Sequence, residues 1–298
     1  MQLSSISLAI TRLGRPADPD AAIKALFAAG EVGAWYDPSD LSTMFQDSNG
    51  MTPVTADGQT VGLILDKSKE LALGPELITN GDFSAGSSGW TTGSEWTVGG
   101  GQATLNFVGS YTNMDYVRSF VAGKLYKLTF NIISQSGANG VRCGIIPSSL
   151  SANLSGVGLK TVYLIAPTSP TGLRFQGNFN TLNTVIDNIS VKEVSGNHAY
   201  QATAAARPLY KVTGLCKWND FDAVDDVLNT TFQSALGSSC TVARGNVGAA
   251  PTILTGQTIG TSYANSTDNC GLIIVNRALT GQETTDVTAW LTAKGATS

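Results

Sequence analysis

The stretch KLYKLTFNII, residues 124–133, alternates apolar and polar side chains at the period of a β-strand that buries one face. The residues predicted to face a core here and in a second such stretch are Leu125, Leu128, Phe130, Ile132, Leu105 and Phe107. Those predicted to face water are Lys127, Thr129, Asn131, Thr104 and Asn106. A strand with one wet face is typical of an antiparallel sheet, because parallel sheets are covered on both faces.

Similar segments lie on either side of this strand and are separated by Gly, Ser and Asn turns. They are QATLNFV (102–108), KTVYLIA (160–166) and GLRFQGNF (172–179). Many short strands joined by turn residues predict an antiparallel sandwich. Composition agrees, since only 13% of the 298 residues are charged while 33 are glycine. We therefore predict an all-β fold of two β-sandwich domains, for which the chain is long enough.

One short helix is predicted near each end of the chain. The first lies in DPDAAIKALFAAG, residues 18–30, where an Asp-Pro start precedes an apolar face and a glycine stop. The second starts at the capping box TGQE, residues 280–283, and closes at Gly295. The apolar run CGLIIVNRAL, residues 270–279, comes just before it and predicts a strand that is buried on both faces.

The segment ELITNGDFSAGSSGWTTGSEWTVGGGQATLNF (76–107), followed later by VIDNISVKEV (185–194), carries a first family resemblance. It resembles the carbohydrate-binding-module-like jelly rolls found in bacteriophage tail and tail-fibre proteins. The markers are the NGDF opening, the following GW and the terminal DNISVKEV. They are more specific for the fold than for a ligand, because one fold serves many functions.

A second resemblance flanks the first. Four segments look like parts of phage structural proteins with a concanavalin A-like (LamG-like) lectin domain: residues 33–68, 196–211, 218–228 and 272–295. In that family pattern LDKS runs almost directly into GNHA, whereas here the jelly roll separates the two. The resemblance therefore implies an insertion, which a surface loop tolerates when the inserted termini lie close together.

These resemblances divide the chain into three predicted parts. Residues 1–30 form an N-terminal arm that anchors the protein, 31–70 and 195–298 form a discontinuous LamG-like outer domain, and 71–194 form the inserted jelly roll. The stretch 228–271 is shorter than a full lectin sandwich needs. We therefore expect the outer domain to serve assembly and the jelly roll to present the functional surface.

Aromatic residues in Gly/Ser/Asn-rich loops are candidates for glycan binding, because sugar rings stack on flat side chains while polar neighbours bind the hydroxyls. The aromatic candidates are Tyr111, Tyr116, Trp96 and Trp90, and the polar ones are Asn113, Asp115 and Arg118. The two tyrosines are favoured. The alternative for Trp90 and Trp96 is a place in the core.

Two acidic groups are candidates for a structural calcium ion, and no other cofactor is expected. The jelly-roll resemblance places Asp82 and Asp187 on the first and last strands, where they would face one ion, although Asp82 is equally suited to an Asx-turn. The second group is the cluster Asp220, Asp222, Asp225 and Asp226. It is explained either by a solvated turn or by calcium.

Signatures of catalysis are scarce in this sequence. It contains no GxSxG, HExxH or P-loop motif, and its single imidazole, His198, is expected to form local hydrogen bonds. Four widely spaced cysteines without a CxxC pair are predicted to be reduced, buried thiols, with a Cys240–Cys270 bridge as the alternative. We predict a protein that is not an enzyme. Paired carboxylates such as Asp222 and Asp225 leave a polysaccharide depolymerase as the alternative.

Partners and location follow from charge and resemblance. The net charge of −4 and the absence of basic runs argue against nucleic acid, and no apolar run approaches the ~20 residues of a membrane span. The first residues lack the features of a secretory signal. The resemblances imply a virion component (tail fibre, tail tip or capsid decoration) that contacts other virion proteins and adheres to host-surface glycans. We expect a homo-oligomer, with a trimer as the first choice. A purely architectural role in the particle is the remaining alternative function.

Overall fold

The computed structural model describes residues 18–106, 109–137, 139–148, 150–177 and 183–295. Residues 1–17 of the predicted arm, and Phe107 of the predicted core set, lie outside the described residues.

The described chain consists mainly of antiparallel strands with an α-helix near each end, which confirms the predicted all-β class. The helices are α1 (Ala21–Ala25) and α2 (Gly281–Gly295), and short 3-10 helices cover Leu41–Thr43, Lys67–Lys69 and Ala204–Ala206. The strands are β1 (Gly33–Tyr36), β2 (Met44–Phe45), β3 (Leu63–Ile64), β4 (Trp90–Thr92), β5 (Trp96–Gly99), β6 (Gln102–Leu105), β7 (Thr112–Val117), β8 (Leu125–Gln135), β9 (Val141–Ile146) and β10 (Gly158–Ile165). They continue with β11 (Gly172–Gly177), β12 (Thr184–Glu193), β13 (Ala199–Tyr200), β14 (Leu209–Thr213), β15 (Cys216–Asp220), β16 (Leu228–Thr231), β17 (Gly237–Asn246), β18 (Ala249–Ile259), β19 (Ser262–Asn265) and β20 (Leu272–Val275).

Strands β4 to β12 form the middle sandwich. A five-stranded sheet in the order β10-β8-β12-β6-β5 faces a four-stranded sheet in the order β4-β7-β11-β9. The core between them contains the alternate residues of β8 that the sequence pattern selected, Leu128, Phe130 and Ile132, packed with Phe175 from the opposite sheet. The period-two pattern therefore predicted this core correctly.

The remaining sheets form the flanking sandwich, which draws on both ends of the described chain. Its sheets have the orders β1-β20-β17-β18 and β19-β16-β13-β3-β2, and β14 pairs with β15 as a separate hairpin. One hydrophobic cluster contains Ala34, Met44 and Ile64 together with Leu228 and Ile274. Residues on both sides of the middle sandwich thus share a single core.

Strand β20 is buried on both faces, as its uninterrupted apolar sequence predicts. Ile274 faces the interior of the flanking sandwich, whereas Ile273 and Val275 face a second cluster with Trp290 of α2. Helices α1 and α2 cover this outer side of the sheet, where Trp35 packs edge-on against Trp290. Covering by helices explains why no polar residue alternates along this strand.

The two helices begin differently. In α2 the capping box forms in full: the Glu283 N–H donates to Thr280 Oγ1 at 3.2 Å, and the Thr280 N–H donates to Glu283 Oε2 at 2.8 Å. Helix α1 starts at Ala21 rather than directly after Asp18, since Asp18 accepts from the Asp20 N–H and forms a turn before the helix. Helix α1 is therefore shorter than the segment 18–30 in which the sequence predicted it.

The two sandwiches meet at a small apolar boundary. Leu63 and Leu65 from the flanking sandwich pack with Leu125, the first residue of β8, and with Val194, which follows β12. Leu125 had been predicted to face the same core as Leu128, and this was wrong. Leu125 lies three positions before Leu128 and therefore on the opposite face of β8, which covers the boundary.

A buried carboxylate lies at the point where the chain leaves and re-enters the flanking sandwich. Asp66 accepts hydrogen bonds from the backbone N–H groups of Trp35 (2.8 Å), Ser68 (2.8 Å) and Asn197 (2.7 Å), and from Ser68 Oγ (2.8 Å). Gly196 follows with φ +126°, and a Cβ at that position would lie 2.9 Å from Asp66 Oδ2. Only glycine fits this backbone and this contact.

The single imidazole completes the same junction. His198 Nδ1 accepts from the Asp66 N–H at 2.9 Å, so the ring carries its proton on Nε2, which donates to the Val194 carbonyl at 3.1 Å. Burial lowers the pKa of His198 to about 4 and raises the pKa of Asp66 to about 6 against its four donors. Both ring nitrogens of His198 are thus hydrogen-bonded to backbone groups, which agrees with the structural role predicted for this residue.

We predict that Asp66→Asn destabilises the protein by about 2–4 kcal/mol at pH 7, measured by chemical unfolding. The amide keeps one acceptor oxygen and turns an NH₂ group toward buried donors. Asp57→Asn is the control, because Asp57 is exposed and accepts one backbone N–H, from Val212 at 2.7 Å. Equal losses in the two variants would contradict a special role for the Asp66 junction.

We also predict a pH-dependent difference between the wild type and His198→Gln. The folded-state pKa of about 4 lies below the ordinary value of 6.5, so the stability contributed by the neutral ring is complete above pH 6.5 and is lost as the pH falls toward 4. The difference between these values corresponds to about 3 kcal/mol. Asp66 titrates in the opposite sense, with stability lost as the pH rises through about 6, but it does so in both proteins. Unfolding by urea between pH 7 and pH 4 should show the two free energies approaching each other, and parallel profiles would rule the effect out.

Candidate functional site

The outward face of the sheet β4-β7-β11-β9 is polar, while its inward face belongs to the core. Along β11, Leu173 and Phe175 are buried, and the alternate residues Arg174 and Gln176 point outward. Strand β7 follows the same period, with Asn113 and Asp115 half-buried on the outer side. Because β7 and β9 both pair with β11 in register, side chains of the three strands lie in rows across the face.

The first row consists of Asn113, Gln176 and Arg142, which are paired across the three strands. Gln176 Nε2 donates to Asn113 Oδ1 at 2.9 Å, and Arg142 Nη2 donates to Gln176 Oε1. The row is a chain of amides ending in a guanidinium. Amides offer donors and acceptors in one plane, so the row suits a ligand that presents hydroxyl groups.

The second row consists of Asp115 and Arg174, followed on β9 by Gly144. Arg174 Nε donates to Asp115 Oδ1 at 2.8 Å, and Nη2 donates to Oδ2 at 2.6 Å, which makes a bidentate pair. The Asp115 hydrogen bond raises the pKa of Arg174. Gly144 has no side chain, so the face is lower beside the guanidinium.

Tyr111 stands at the edge of the first row, immediately before β7 begins. Its side chain is 52% exposed, and the Arg142 guanidinium carbon lies 5.1 Å from its ring centroid. An aromatic ring held beside a row of amides is an arrangement that proteins use to bind sugars, because the ring contacts apolar C–H groups while the amides bind hydroxyls. The structure thus brings Tyr111 and Asn113 together, as the sequence analysis grouped them.

The other three aromatic candidates lie inside the core. Trp90, Trp96 and Tyr116 are 6%, 3% and 8% exposed. The indole N–H of Trp90 donates to the Asn80 carbonyl at 3.1 Å, and Tyr116 Oη lies 2.8 Å from Thr79 Oγ1. Their rings are unavailable to a ligand. For Trp90 and Trp96 this is the core alternative that the sequence left open, whereas the favoured binding role of Tyr116 is wrong, because its ring occupies an inward strand position.

Arg118 is exposed but lies away from Tyr111. The two residues stand at opposite ends of β7, and an extended chain of seven residue steps spans roughly 23 Å. Arg118 therefore lies outside the row of amides.

Three residues of the face were absent from the sequence-based candidates: Arg142, Arg174 and Gln176. They come from β9 and β11, which are distant in sequence from the loop that holds Tyr111. The signal that selects them is the polar residue at alternate positions in VRCGII and GLRFQG. It predicts outward faces but does not say which strands are neighbours.

The two predicted calcium ligands are each engaged locally. Asp82 Oδ1 accepts from the Ser84 N–H at 3.2 Å and from Ser84 Oγ at 3.0 Å, which is the Asx-turn alternative. These bonds lower the pKa of Asp82. Asp187 Oδ1 accepts from the Asn188 N–H at 2.6 Å. Calcium binding by this pair stays a prediction.

The acidic cluster forms a turn after β15. Within the part of the chain that the structure describes, the one group of three or more potential metal ligands is Asp222, Asp225 and Asp226, whose ligand atoms lie within 4.8 Å of one another. Asp222 Oδ1 accepts from the N–H groups of Val224, Asp225 and Asp226, and these bonds lower its pKa. Burial raises the pKa of Asp226. These bonds form a turn, as predicted, and Asp220 lies outside the group. Calcium binding by this cluster stays a prediction.

All four cysteines are buried free thiols. The alternative Cys240–Cys270 bridge is not formed, because Cys270 lies against Cys216, and Cys240 Sγ donates to the Gly237 carbonyl at 3.4 Å. Burial raises the pKa of the Cys143 thiol to about 12. These thiols pack as small apolar groups.

Comparison with known proteins yields little at this level of similarity. No protein-family model and no curated protein matches the sequence. Among solved structures, the N-terminal CBM22-1-CBM22-2 tandem domain of Xyn10C from Paenibacillus barcinonensis aligns over 71% of this chain and 94% of that chain. The sequence identity is 10% and the TM-score is 0.34.

The contrast between a core ring and a surface ring gives a stability prediction. Trp90→Ala should lower the free energy of unfolding by about 3–5 kcal/mol, because it leaves a cavity among Phe83, Tyr116 and Phe175. Tyr111→Ala should cost at most about 1 kcal/mol. Thermal or urea unfolding checks both, and a large loss for Tyr111→Ala would show that its ring is structural.

Proposed function

We propose that this chain is a non-catalytic adhesion protein that binds glycans on the outer face of the sheet β4-β7-β11-β9. The observation that carries the proposal is the row of Asn113, Gln176 and Arg142 bordered by the exposed ring of Tyr111. A shallow, open face of this kind suits an extended polymer better than a small enclosed molecule.

The rigidity of the face supports this proposal. The amide row is prearranged by Gln176, which bonds to Asn113 on one side and to Arg142 on the other. The aromatic core directly beneath, with Phe175 against Phe130 and Trp90, holds β11 in place. A binding face whose side chains are already ordered loses less conformational entropy when a ligand binds.

The proposed biological setting is a bacteriophage virion, as a tail-fibre, tail-tip or capsid-decoration protein. It rests on the sequence resemblances of residues 71–194 to phage jelly rolls and of 31–70 with 195–298 to LamG-like phage proteins. We further propose that residues 71–194 are an inserted domain, since residues before and after them share one core. Other virion proteins and further copies of the chain are the proposed partners. No described helix has the length and apolar character needed to cross a membrane.

Binding of the full chain to an array of bacterial capsular and lipopolysaccharide glycans tests the proposal. Tyr111→Ala and Gln176→Ala should each weaken binding about tenfold, which is the effect of losing about 1.4 kcal/mol of contact energy. Trp218→Ala is the control, because that half-buried ring lies on the hairpin β14–β15 of the other sandwich.

Other outcomes of the same experiment identify the alternatives. Binding that is lost in Trp218→Ala but kept in Tyr111→Ala would move the site to the flanking sandwich. Release of reducing ends, abolished by Asp222→Asn or Asp225→Asn, would make the protein a depolymerase. Absence of binding to every glycan would leave an architectural role.

A further inference from the structure

We infer that the ligand of this face is an acidic saccharide, one that carries carboxylate groups. The inference rests on the proposed glycan binding and adds the chemical class of the glycan. It is drawn from the charges of the face. Among the described residues that strands β4, β7, β11 and β9 direct outward, the charged ones are Asp115, Arg174 and Arg142.

The charge of Asp115 is already neutralised within the face. Both of its carboxylate oxygens accept from Arg174 in the bidentate pair, at 2.8 and 2.6 Å. The pair places no net charge in the second row, so a negatively charged ligand is not repelled there. The pair also directs the Arg174 guanidinium across the sheet toward β7.

The charge of Arg142 is not neutralised. Within the described part of the chain Arg142 forms no ion pair; Nη2 donates to the neutral amide of Gln176, and the buried Nε has no hydrogen-bond partner. The guanidinium also lies over the ring of Tyr111, where the aromatic quadrupole favours a cation without cancelling its charge. A positive charge therefore stands at the ring on which a sugar would stack.

The position of this charge contrasts with the rest of the protein. The whole chain carries a net charge of −4, yet the amide row ends in a guanidinium that has no ion-pair partner among the described residues. A carboxylate is the group that a guanidinium binds best, through paired N–H donors. An acidic saccharide that stacks on Tyr111 would therefore bring a carboxylate to Arg142.

The test compares each acidic polysaccharide with its own neutral form. Alginate, hyaluronan and polysialic acid are offered to the full chain as native polymers and after carboxyl reduction, with dextran as a neutral reference. We expect at least one native polymer to bind about tenfold tighter than its reduced form, and this preference to shrink as the salt concentration rises.

Two variants change the preference in opposite directions. Arg142→Gln should lower affinity for the acidic polymer about tenfold, because a charge-assisted hydrogen bond is lost. Asp115→Asn should raise the same affinity about threefold or more, because it releases Arg174 from its partner. Lys127→Gln is the matched control, since it removes one positive charge from the opposite sheet of the same sandwich. Thermal unfolding confirms that each variant is folded.

The outcomes separate the two proposals. Equal binding of native, reduced and neutral polymers would overturn the inference while leaving glycan binding intact. An equal effect of Lys127→Gln and Arg142→Gln would also overturn it, because attraction would then be general rather than local. Failure of every polymer here and of every glycan on the array would overturn both.

Discussion

The Asp66 carboxylate is the interaction on which the arrangement of the two sandwiches depends. It is buried, and its four hydrogen bonds join three chain segments: β1 through Trp35, the turn at Ser68, and the returning chain at Asn197. An unpaired buried carboxylate would be costly, so the three segments must assemble around it together. The chain passes from the flanking sandwich to the middle sandwich and returns at this point. The Asp66 carboxylate and its donors therefore fix the place where the two sandwiches are joined.

The middle sandwich, which carries the polar face, is also hydrogen-bonded to the Asp66 junction. Val194, at the end of β12, accepts from His198, which accepts from the Asp66 N–H, so the last strand of the middle sandwich is bonded directly to the junction. Within the sandwich, Phe175 packs edge-on against Phe130 and holds the centre of β11. Arg174 and Gln176 flank that residue on the outer side. The order of the binding face follows from the packing beneath it.

Alternation of side chains predicted much of this fold, because period two is a local property of a strand. It identified Leu128, Phe130 and Ile132 as core residues and the run before α2 as a strand buried on both faces. Composition misplaced Tyr116, which was grouped with exposed loop residues although its ring points inward; the core alternative held for Trp90 and Trp96. Leu125 was assigned to the wrong cluster, because it lies an odd number of positions from Leu128 and therefore on the opposite face of β8.

By itself, the sequence determined the all-β class, the helix near each end, the capping box at Thr280 and the exposed Tyr111 as a candidate for ligand contact. These depend on residues within a few positions of one another, where period, turn chemistry and capping act. The tertiary structure alone decided that Arg142 and Gln176 join Tyr111, and that Asp115 is neutralised by Arg174. Those contacts connect strands up to 63 positions apart, and their pairing depends on sheet register, which no local pattern contains.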